Sequence, residues 1–115
     1  MKPFPRYWIG AAAVWAVTLS GAGLTAQSDE VLITLKDHRF IPDTIEVPAQ
    51  TRIKITIKNL DDSDEEFDSY SLNREKLIRG NSEETIFVGP LEPGEYPFEG
   101  EKNSATAKGR LIVKE

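Results

Sequence analysis

Apolar and polar residues alternate along much of the chain after residue 28, which is the pattern of half-buried β-strands. The stretch from Arg52 to Lys58 alternates strictly and places three isoleucines on one face. Shorter apolar stripes of the same period are Val31/Ile33/Leu35, Ile45/Val47, Tyr96/Phe98 and Leu111/Val113. Proline, glycine, asparagine and aspartate residues separate these runs at short intervals. Six to eight short strands spaced in this way predict an all-β fold, an antiparallel β-sandwich, and no segment has convincing helical periodicity.

The alternation also predicts which side chains face the core of one Greek-key sandwich formed by residues 30–114. The expected inward set is Ile53, Ile55, Ile57, Phe67, Phe87, Tyr96, Phe98, Leu111 and Val113. The run from Thr85 to Val88 has the pattern of a more fully buried strand. Pro97 favours an edge position for the strand that contains it, because proline cannot donate a hydrogen bond to a neighbouring strand.

The first 28 residues have the pattern of an export signal. Lys2 and Arg6 are the only charged residues there, and the uncharged run from Tyr7 to Ser28 ends in small residues. We therefore expect a signal peptide over residues 1–28, a folded domain over residues 29–115 and a periplasmic location. The alternative is an uncleaved anchor that attaches the domain to the membrane, because 22 residues without a charge are long enough to span a bilayer.

The composition excludes several classes of function. Residues 29–115 carry all 19 acidic residues against 12 basic ones, a formal charge of −7, so nucleic-acid binding by bulk electrostatics is excluded. The chain has no cysteine, one histidine, and methionine only at position 1. Disulfides, thiolate and thioether ligands, cysteine nucleophiles and multi-histidine metal cages are therefore excluded. No Ser/His/Asp arrangement or glycine-rich phosphate loop can be assembled, which disfavours hydrolytic and phosphoryl-transfer enzymes.

Six acidic residues lie within the eight positions from Asp61 to Asp68. A solvated loop is the ordinary explanation of such a run. A cation site is the functional explanation, because a bound hard cation relieves the repulsion between like charges, although the spacing is not that of an EF-hand. If Phe67 points into the core, Glu65 lies on the same side of its strand, while Glu66 and Asp68 face outward.

Other candidate ligands lie elsewhere in the sequence. Glu95 and Glu99 are expected to face outward and to serve solubility. Glu101 lies in the loop that follows them and is the better candidate to turn inward. His38 has charged neighbours, which is more typical of a surface or turn residue than of a metal ligand.

An ordered series of motifs resembles the cupredoxin family over essentially the whole exported part, residues 30–114. The series consists of the F-x-P-x-x-I-x-V-P-A opening at residues 40–49, Asn59 and Asp61 at a strand end, the L-x-P-G-x-Y-x-F run at residues 91–98 and the G-x-L-x-V run at residues 109–113. Within that family, residues 65–69 and 72–76 resemble a cysteine-less branch. This branch is similar to the cupredoxin domain of EfeO-type proteins and to periplasmic partners of bacterial ferrous-iron permeases.

The resemblance implies where a blue-copper protein carries its ligands, with one histidine after Asn59 and a cysteine, a histidine and a methionine after Phe98. The corresponding places in this chain hold Glu65, Gly100, Asn103 and a residue without sulfur near Ala107. All four ligands are lost, and type-1 blue copper chemistry is excluded because it needs a copper–thiolate bond. Members of the cysteine-less branch often carry a histidine in the last loop, where this chain has Asn103.

The leading hypothesis is a periplasmic cupredoxin-like metal-binding accessory in iron uptake or copper-assisted iron uptake. An iron or copper ion is the candidate ligand, and a membrane iron permease or another envelope protein is the candidate partner. Carboxylate oxygens suit Fe³⁺, Mn²⁺ and Ca²⁺ better than Cu(I). The candidate metal ligands are Glu65, Glu66, Asp68 and Glu101, followed by Glu75, Asn103 and His38. Glu65 and Glu101 are expected to share an ion where their loops meet at one end of the sandwich.

Two further hypotheses remain open. The first is a metal-free β-sandwich interaction module that docks to an envelope partner through an acidic face. The second is enzymatic, a ferrous-iron oxidation that requires a redox metal.

Overall fold

The computed structural model describes residues 29–115, which form nine β-strands and one short 3₁₀ turn. The strands are β1 (Glu30–Lys36), β2 (Arg39–Ile41), β3 (Thr44–Pro48), β4 (Ile53–Asn59), β5 (Glu65–Ser69), β6 (Arg74–Ile78), β7 (Glu83–Val88), β8 (Gly94–Gly100) and β9 (Lys108–Lys114). The 3₁₀ turn, Glu101–Asn103, lies between β8 and β9. The predicted signal peptide, residues 1–28, lies outside the described residues. Within residues 29–115, no helix is long and apolar enough to cross a membrane.

The strands form two sheets that enclose one hydrophobic core, which confirms the predicted β-sandwich. One sheet has the order β3-β9-β8-β5-β6 and the other has the order β2-β1-β4-β7. Two pairs, β1 with β4 and β3 with β9, are parallel, so the sheets are mixed and the expectation of wholly antiparallel sheets is corrected. The chain leaves β1 through a hairpin with β2, crosses to the other sheet as β3 and returns as β4 alongside β1. This crossover makes the β1–β4 pair parallel.

The inner faces carry the alternating apolar residues that the sequence pattern predicts. The three isoleucines of β4 are fully buried. Phe67 and Phe98 stack with their ring centroids 5.0 Å apart, and Phe40 meets them edge to face at 6.2 and 5.3 Å. Each such aromatic pair adds roughly 0.5–1.5 kcal/mol to what burial alone contributes. Because Phe67 belongs to this trio, the direction of every side chain on β5 is fixed.

The prediction that Phe87 points into the core is wrong. Ile86 and Val88 occupy the inner side of β7, so Phe87 lies on the outer side and is 41% exposed. The ring packs under the guanidinium of Arg52, whose Cζ atom lies 4.2 Å from the ring centroid. The apolar run of β7 therefore includes one residue that a surface cation covers, and the strand is buried on one face only.

The edge position predicted from Pro97 is also wrong, because β8 lies inside its sheet between β9 and β5. Pro97 pairs with Arg110 of β9, whereas β5 pairs with β8 only at residues 99 and 100. The strand β5 ends at Ser69, and the Ser69 hydroxyl donates a hydrogen bond of 2.7 Å to the Pro97 carbonyl. An internal strand tolerates proline at this position because the neighbouring strand has ended there.

Candidate functional site

Glu65 is buried at the start of β5. It shares the inner side of the strand with Phe67, as the alternation predicts, and it is 1% exposed. One carboxylate oxygen, Oε2, accepts hydrogen bonds from the backbone N–H groups of Lys102 at 2.7 Å and Glu66 at 3.1 Å. The other oxygen, Oε1, accepts a hydrogen bond of 2.8 Å from Nδ2 of Asn103. Both oxygens of this carboxylate are therefore bound by N–H donors of the protein.

Gly100, the last residue of β8, makes room for the Glu65 carboxylate. It lies opposite Phe67 in the sheet, and a Cβ atom added to it would lie 2.7 Å from Cδ of Glu65 and 2.8 Å from Cβ of Ala107. Both distances are well below van der Waals contact, and Ala107 is fully buried. Position 100 therefore requires glycine while Glu65 keeps its place.

The 3₁₀ turn after β8 carries two of the hydrogen-bond donors to Glu65, the Lys102 N–H and the Asn103 amide. The carbonyl of Asn103 accepts hydrogen bonds from the backbone N–H groups of Thr106 at 3.1 Å and Ala107 at 2.8 Å. The N–H of Gly100 donates to the Ala107 carbonyl at 2.8 Å. These bonds close the loop on itself and hold the Lys102 N–H and the Asn103 amide in position over Glu65.

Asn59 organises the other loop, which leads from β4 to β5. It is fully buried, and its Nδ2 donates to the carbonyls of Ser63 at 2.9 Å, Ile78 at 3.1 Å and Arg79 at 3.3 Å. Its Oδ1 accepts a hydrogen bond of 2.9 Å from the Asp61 N–H. Asn59 therefore holds the backbone of the loop in which the acidic run, residues 61–68, begins.

Asp61 caps the turn between β1 and β2. Its carboxylate accepts hydrogen bonds from the N–H groups of Asp37 at 2.8 Å and His38 at 3.0 Å, both of which have positive φ angles. Partial burial acts to raise the pKa of Asp61, but these two hydrogen bonds and the charges of His38 and Lys36 outweigh it, and the pKa is lowered. Nδ1 of His38 lies 3.6 Å from the same carboxylate, so His38 is placed as a turn residue beside Asp61.

The remaining acidic candidates lie together on the outer face of the five-stranded sheet. Asp68 of β5 is directly opposite Glu75 of β6 and Glu99 of β8. The carboxyl groups of Glu66 and Glu101 come within hydrogen-bonding reach of each other. We call these five residues the acidic ladder. Glu99 lies 3.8 Å from Nζ of Lys108, and the other four have no ion pair within the part of the chain that the structure describes.

The acidic ladder changes the titration of Glu66. The main cause that raises the pKa of Glu66 is a hydrogen bond in which the protonated Glu66 carboxyl donates to the Glu101 carboxylate, and desolvation and the charges of Glu101, Glu75 and Asp68 act in the same direction. A carboxyl group that shares a proton with a neighbour holds that proton more tightly than an isolated one does. Glu101 is exposed on this face, so the expectation that it turns inward beside Glu65 is wrong. The turn of the chain after Gly100 carries it outward.

Tyr70, at the tip of the β5–β6 hairpin, adjoins the acidic ladder and is 99% exposed. The hairpin is rigid beneath it, because the Ser69 hydroxyl accepts a hydrogen bond of 3.1 Å from the Leu72 N–H and Leu72 is buried. Tyr70 and Asp68 line two surface hollows, of about 790 and 480 Å³. Among the large hydrophobic side chains of residues 29–115, that of Tyr70 is the most exposed.

The structure thus divides the seven predicted ligands into three groups. Glu66, Asp68, Glu75 and Glu101 lie together on the outer face, Glu65 and Asn103 are bonded to each other inside, and His38 contacts Asp61. Among residues 29–115, no group of three histidine, cysteine, aspartate or glutamate side chains has a geometry that could hold a metal ion.

The sequence matches a known protein family and a related bacterial protein. The sequence profile described as "cupredoxin-like domain" matches residues 9–113. The uncharacterized protein RP394 of Rickettsia prowazekii (strain Madrid E) is 45% identical over 84 residues, which cover 73% of this chain and 67% of that protein.

The chain also superposes on solved structures of this fold. The metal-binding domain of the Cu(I)-exporting P-type ATPase CopA of Streptococcus pneumoniae D39, solved with Cu(I), superposes with a TM-score of 0.67 at 20% identity, over 75% of this chain and 85% of that one. Auracyanin A, a "blue" copper protein from Chloroflexus aurantiacus, superposes with a TM-score of 0.65 at 15% identity, over 74% of this chain and 98% of that one.

The residues of this chain do not fit the copper centre of a blue-copper protein. Of the positions that the resemblance equates with copper ligands, Gly100 has no donor atom in its side chain, the one near Ala107 has no sulfur, and both oxygens of Glu65 are bound by N–H groups. The fourth, Asn103, donates its amide N–H to Glu65. The arrangement holds a carboxylate among hydrogen-bond donors, which is the opposite of what a metal cation needs.

Proposed function

Since the chain belongs to the cupredoxin-like domain family, we propose that it is a periplasmic docking module that uses this fold without a copper centre. Its docking surface is the acidic ladder together with Tyr70. The partner is an envelope protein that presents a cationic surface.

The acidic ladder is the observation that carries this proposal. Like charges directly opposite each other on neighbouring strands destabilise a sheet, and Asp68 has such a neighbour on both sides. Four acidic residues there have no ion pair within the described part of the chain, whereas other outward acids on the same sheet do. A cationic partner would remove the repulsion on binding and would be steered to this face by its charge.

Tyr70 supports the same function because it adds a large exposed aromatic surface to the charged one. A fully exposed tyrosine on a rigid hairpin offers a large contact area with little loss of conformational freedom. The two hollows that it lines give a partner side chain a concave place beside the ring. We therefore expect basic residues of the partner to contact Asp68 and Glu75 while an apolar group packs on Tyr70.

A membrane transporter is the partner that we expect, with an iron permease as the first candidate. A domain of this fold is the metal-binding domain of a Cu(I)-exporting ATPase in Streptococcus pneumoniae, which supports an association between the fold and a membrane transporter. The signal-like pattern of residues 1–28 supports export to the compartment in which such a partner is exposed.

Photo-crosslinking in cells that produce the full chain tests the docking function. A photoreactive phenylalanine analogue replaces Tyr70 on the acidic side or, as the matched control, replaces Leu32, which is 58% exposed on the other sheet. We expect one discrete adduct from position 70, none of that size from position 32, and loss of the adduct when Glu66, Asp68 and Glu75 are replaced by their amides.

The absence of an adduct at position 70 would contradict the docking function. An adduct of the same size from both positions, or one that survives neutralisation of the acidic ladder, would also contradict it. In those cases the ladder does not select the partner.

A second candidate function is carboxylate binding of an iron or other hard cation at the acidic ladder, in the service of iron uptake. The observation that favours it is the close approach of the Glu66 and Glu101 carboxyl groups, whose mutual repulsion a bound cation would relieve. Asp68 and Glu75 lie on the same outer face, but no three acidic side chains of residues 29–115 converge on one point, so a cation would have to draw these carboxylates together on binding. Glu65 is not part of this site, because its oxygens are already bound.

Calorimetric titration of the full chain with Fe²⁺ under anaerobic conditions, and with Mn²⁺, tests this second candidate. Glu66→Gln and Glu101→Gln should each weaken a stoichiometric site by at least about tenfold, or ~1.4 kcal/mol. Glu95→Gln is the control, because Glu95 pairs with Arg110 at 3.2 Å and should change the affinity much less. Equal, small losses for all three variants would contradict a cation site and leave docking as the function of this face.

A further inference from the structure

We infer that the carboxylate of Glu65 permanently takes the place of a metal ion at the loop end of this sandwich, as a fixed internal anion that ties the two loops together. This inference rests on the buried network around Glu65 and is independent of the docking function. It assigns to Glu65 a positioning role for the loop after β8.

The groups around the Glu65 carboxylate are hydrogen-bond donors, which suit an anion and not a metal cation. A metal ion is held by lone pairs, whereas the groups that converge here are two backbone N–H groups and one amide N–H group. All three donate to the carboxylate, at distances between 2.7 and 3.1 Å. Hydrogen bonds to an ionised acceptor are roughly twice as strong as those between neutral groups. The loop end is therefore built around a negative charge.

The Glu65 carboxylate occupies the space next to Gly100 that a side chain at position 100 would need. A side chain at this position would collide with Cδ of Glu65 and with Cβ of Ala107, at 2.7 and 2.8 Å. The position that the resemblance equates with the copper thiolate is therefore closed while Glu65 is in place. A thiolate at position 100 and the inward carboxylate at position 65 exclude each other.

The span of the network explains what the carboxylate does for the fold. Lys102 and Asn103 are 37 and 38 positions from Glu65 in the sequence, so one side chain joins the start of β5 to the turn after β8. A metal bound by ligands from the corresponding two loops would make the same connection. Because Glu65 is part of the chain, this connection between the two loops does not depend on a bound metal.

A double-mutant cycle between Glu65 and Asn103 tests this inference in the full chain. Asn103→Asp places a second carboxylate 2.8 Å from Glu65 and should lower the folding equilibrium constant by at least about tenfold. Glu65→Gln combined with Asn103→Asp restores one donor and one acceptor. The glutamine oxygen faces the N–H groups of Lys102 and Glu66, and its amide faces the new carboxylate, so the double variant should recover most of the loss.

Amide hydrogen exchange adds a readout that is local to the loop. In Asn103→Asp the Lys102 N–H should exchange at least about tenfold faster, and the double variant should restore its protection. The Ala49 N–H is the internal control, because it donates to the Lys114 carbonyl at 2.8 Å, at the other end of β9 from this loop. If Asn103→Asp does not fold, a folded double variant still supports the inference.

Three results would overturn the inference. The first is an Asn103→Asp variant as stable as the wild type, and the second is a double variant no more stable than that single variant. The third is stabilisation of the wild type by Cu²⁺ or Fe²⁺ that Glu65→Gln abolishes, because Glu65 would then be a ligand rather than a replacement for the metal.

Discussion

The carboxyl groups of Glu66 and Glu101 come within hydrogen-bonding reach of each other on the outer face of the five-stranded sheet, although 35 positions separate the two residues in the sequence. Two carboxyl groups can form a hydrogen bond only if one of them keeps a proton. The contact therefore couples the ionisation of this surface to pH, and it joins the start of β5 to the turn that follows β8.

The first prediction concerns the pH dependence of stability. Because the pKa of Glu66 is raised above its ordinary value of 4.5, the folded protein takes up this proton at a higher pH than the unfolded chain does. Ionisation of Glu66 therefore costs stability at neutral pH, and this cost disappears as the pH falls through the raised pKa towards 4.5. Glu66→Gln should be more stable than the wild type at neutral pH, and the difference should vanish in acid.

Urea unfolding at a series of pH values measures this difference. Glu95→Gln serves as the matched control, because Glu95 is exposed and pairs with Arg110. A Glu66→Gln variant whose advantage grows as the pH falls would contradict the assignment.

The second prediction concerns Asp68, which has a like charge directly opposite on each side. Asp68→Asn should increase the free energy of unfolding by roughly 0.2–1 kcal/mol, because it removes this repulsion. The increase should shrink as salt is added, since salt screens exposed charges. Denaturant unfolding at low and high salt is the measurement.

Glu46→Gln is the control for Asp68→Asn. Glu46 lies on the same sheet but pairs with Lys114 at 3.1 Å, so its replacement should leave stability unchanged or slightly lower it. Equal stabilisation by both variants would mean that general negative charge, rather than the acidic ladder, causes the effect.

The third prediction concerns Gly100. Gly100→Ala should destabilise the protein by about 1–3 kcal/mol, because the added methyl group overlaps the bonded carboxylate of Glu65 and the buried Ala107. Thermal unfolding measures the loss. Glu92→Ala, in the exposed turn before β8, is the control and should change stability little. A Gly100→Ala variant as stable as the wild type would contradict the close approach to Glu65.

The fourth prediction concerns the aromatic trio. Phe98→Ala should cost about 3–5 kcal/mol, because the ring is buried and packs against both Phe67 and Phe40. Phe87→Ala is a matched control from the exposed side of β7, and its cost should be clearly smaller. Similar losses from the two variants would contradict the assignment of Phe87 to the outer face.

The fold was predictable from sequence to the extent that strands alternate. Once Phe67 is assigned to the core, the alternation places Glu65 inside and Glu66 and Asp68 outside, and the structure has them there. The strand β7 also alternates, with Ile86 and Val88 inside and Phe87 outside, but an unbroken apolar run does not reveal from sequence which of its residues face the core.

The candidate site was less predictable, because it depends on contacts between distant loops. Glu101 was expected inside, but a 3₁₀ turn follows Gly100 and directs the Lys102 N–H, rather than the Glu101 side chain, at Glu65. The need for glycine at position 100 likewise depends on a side chain 35 positions earlier. Local sequence patterns carry no information on such pairs.

A copper titration of the full chain tests most directly whether Glu65 closes the position that the resemblance equates with the metal site of blue-copper proteins. Cu²⁺ is added while the visible absorption and the thermal unfolding midpoint are followed, for the wild type and for Glu65→Gln. We predict no intense blue absorption, because the chain has no thiolate, and no copper-dependent stabilisation that depends on Glu65. A strong blue band, or a stabilisation by copper that Glu65→Gln removes, would contradict this account.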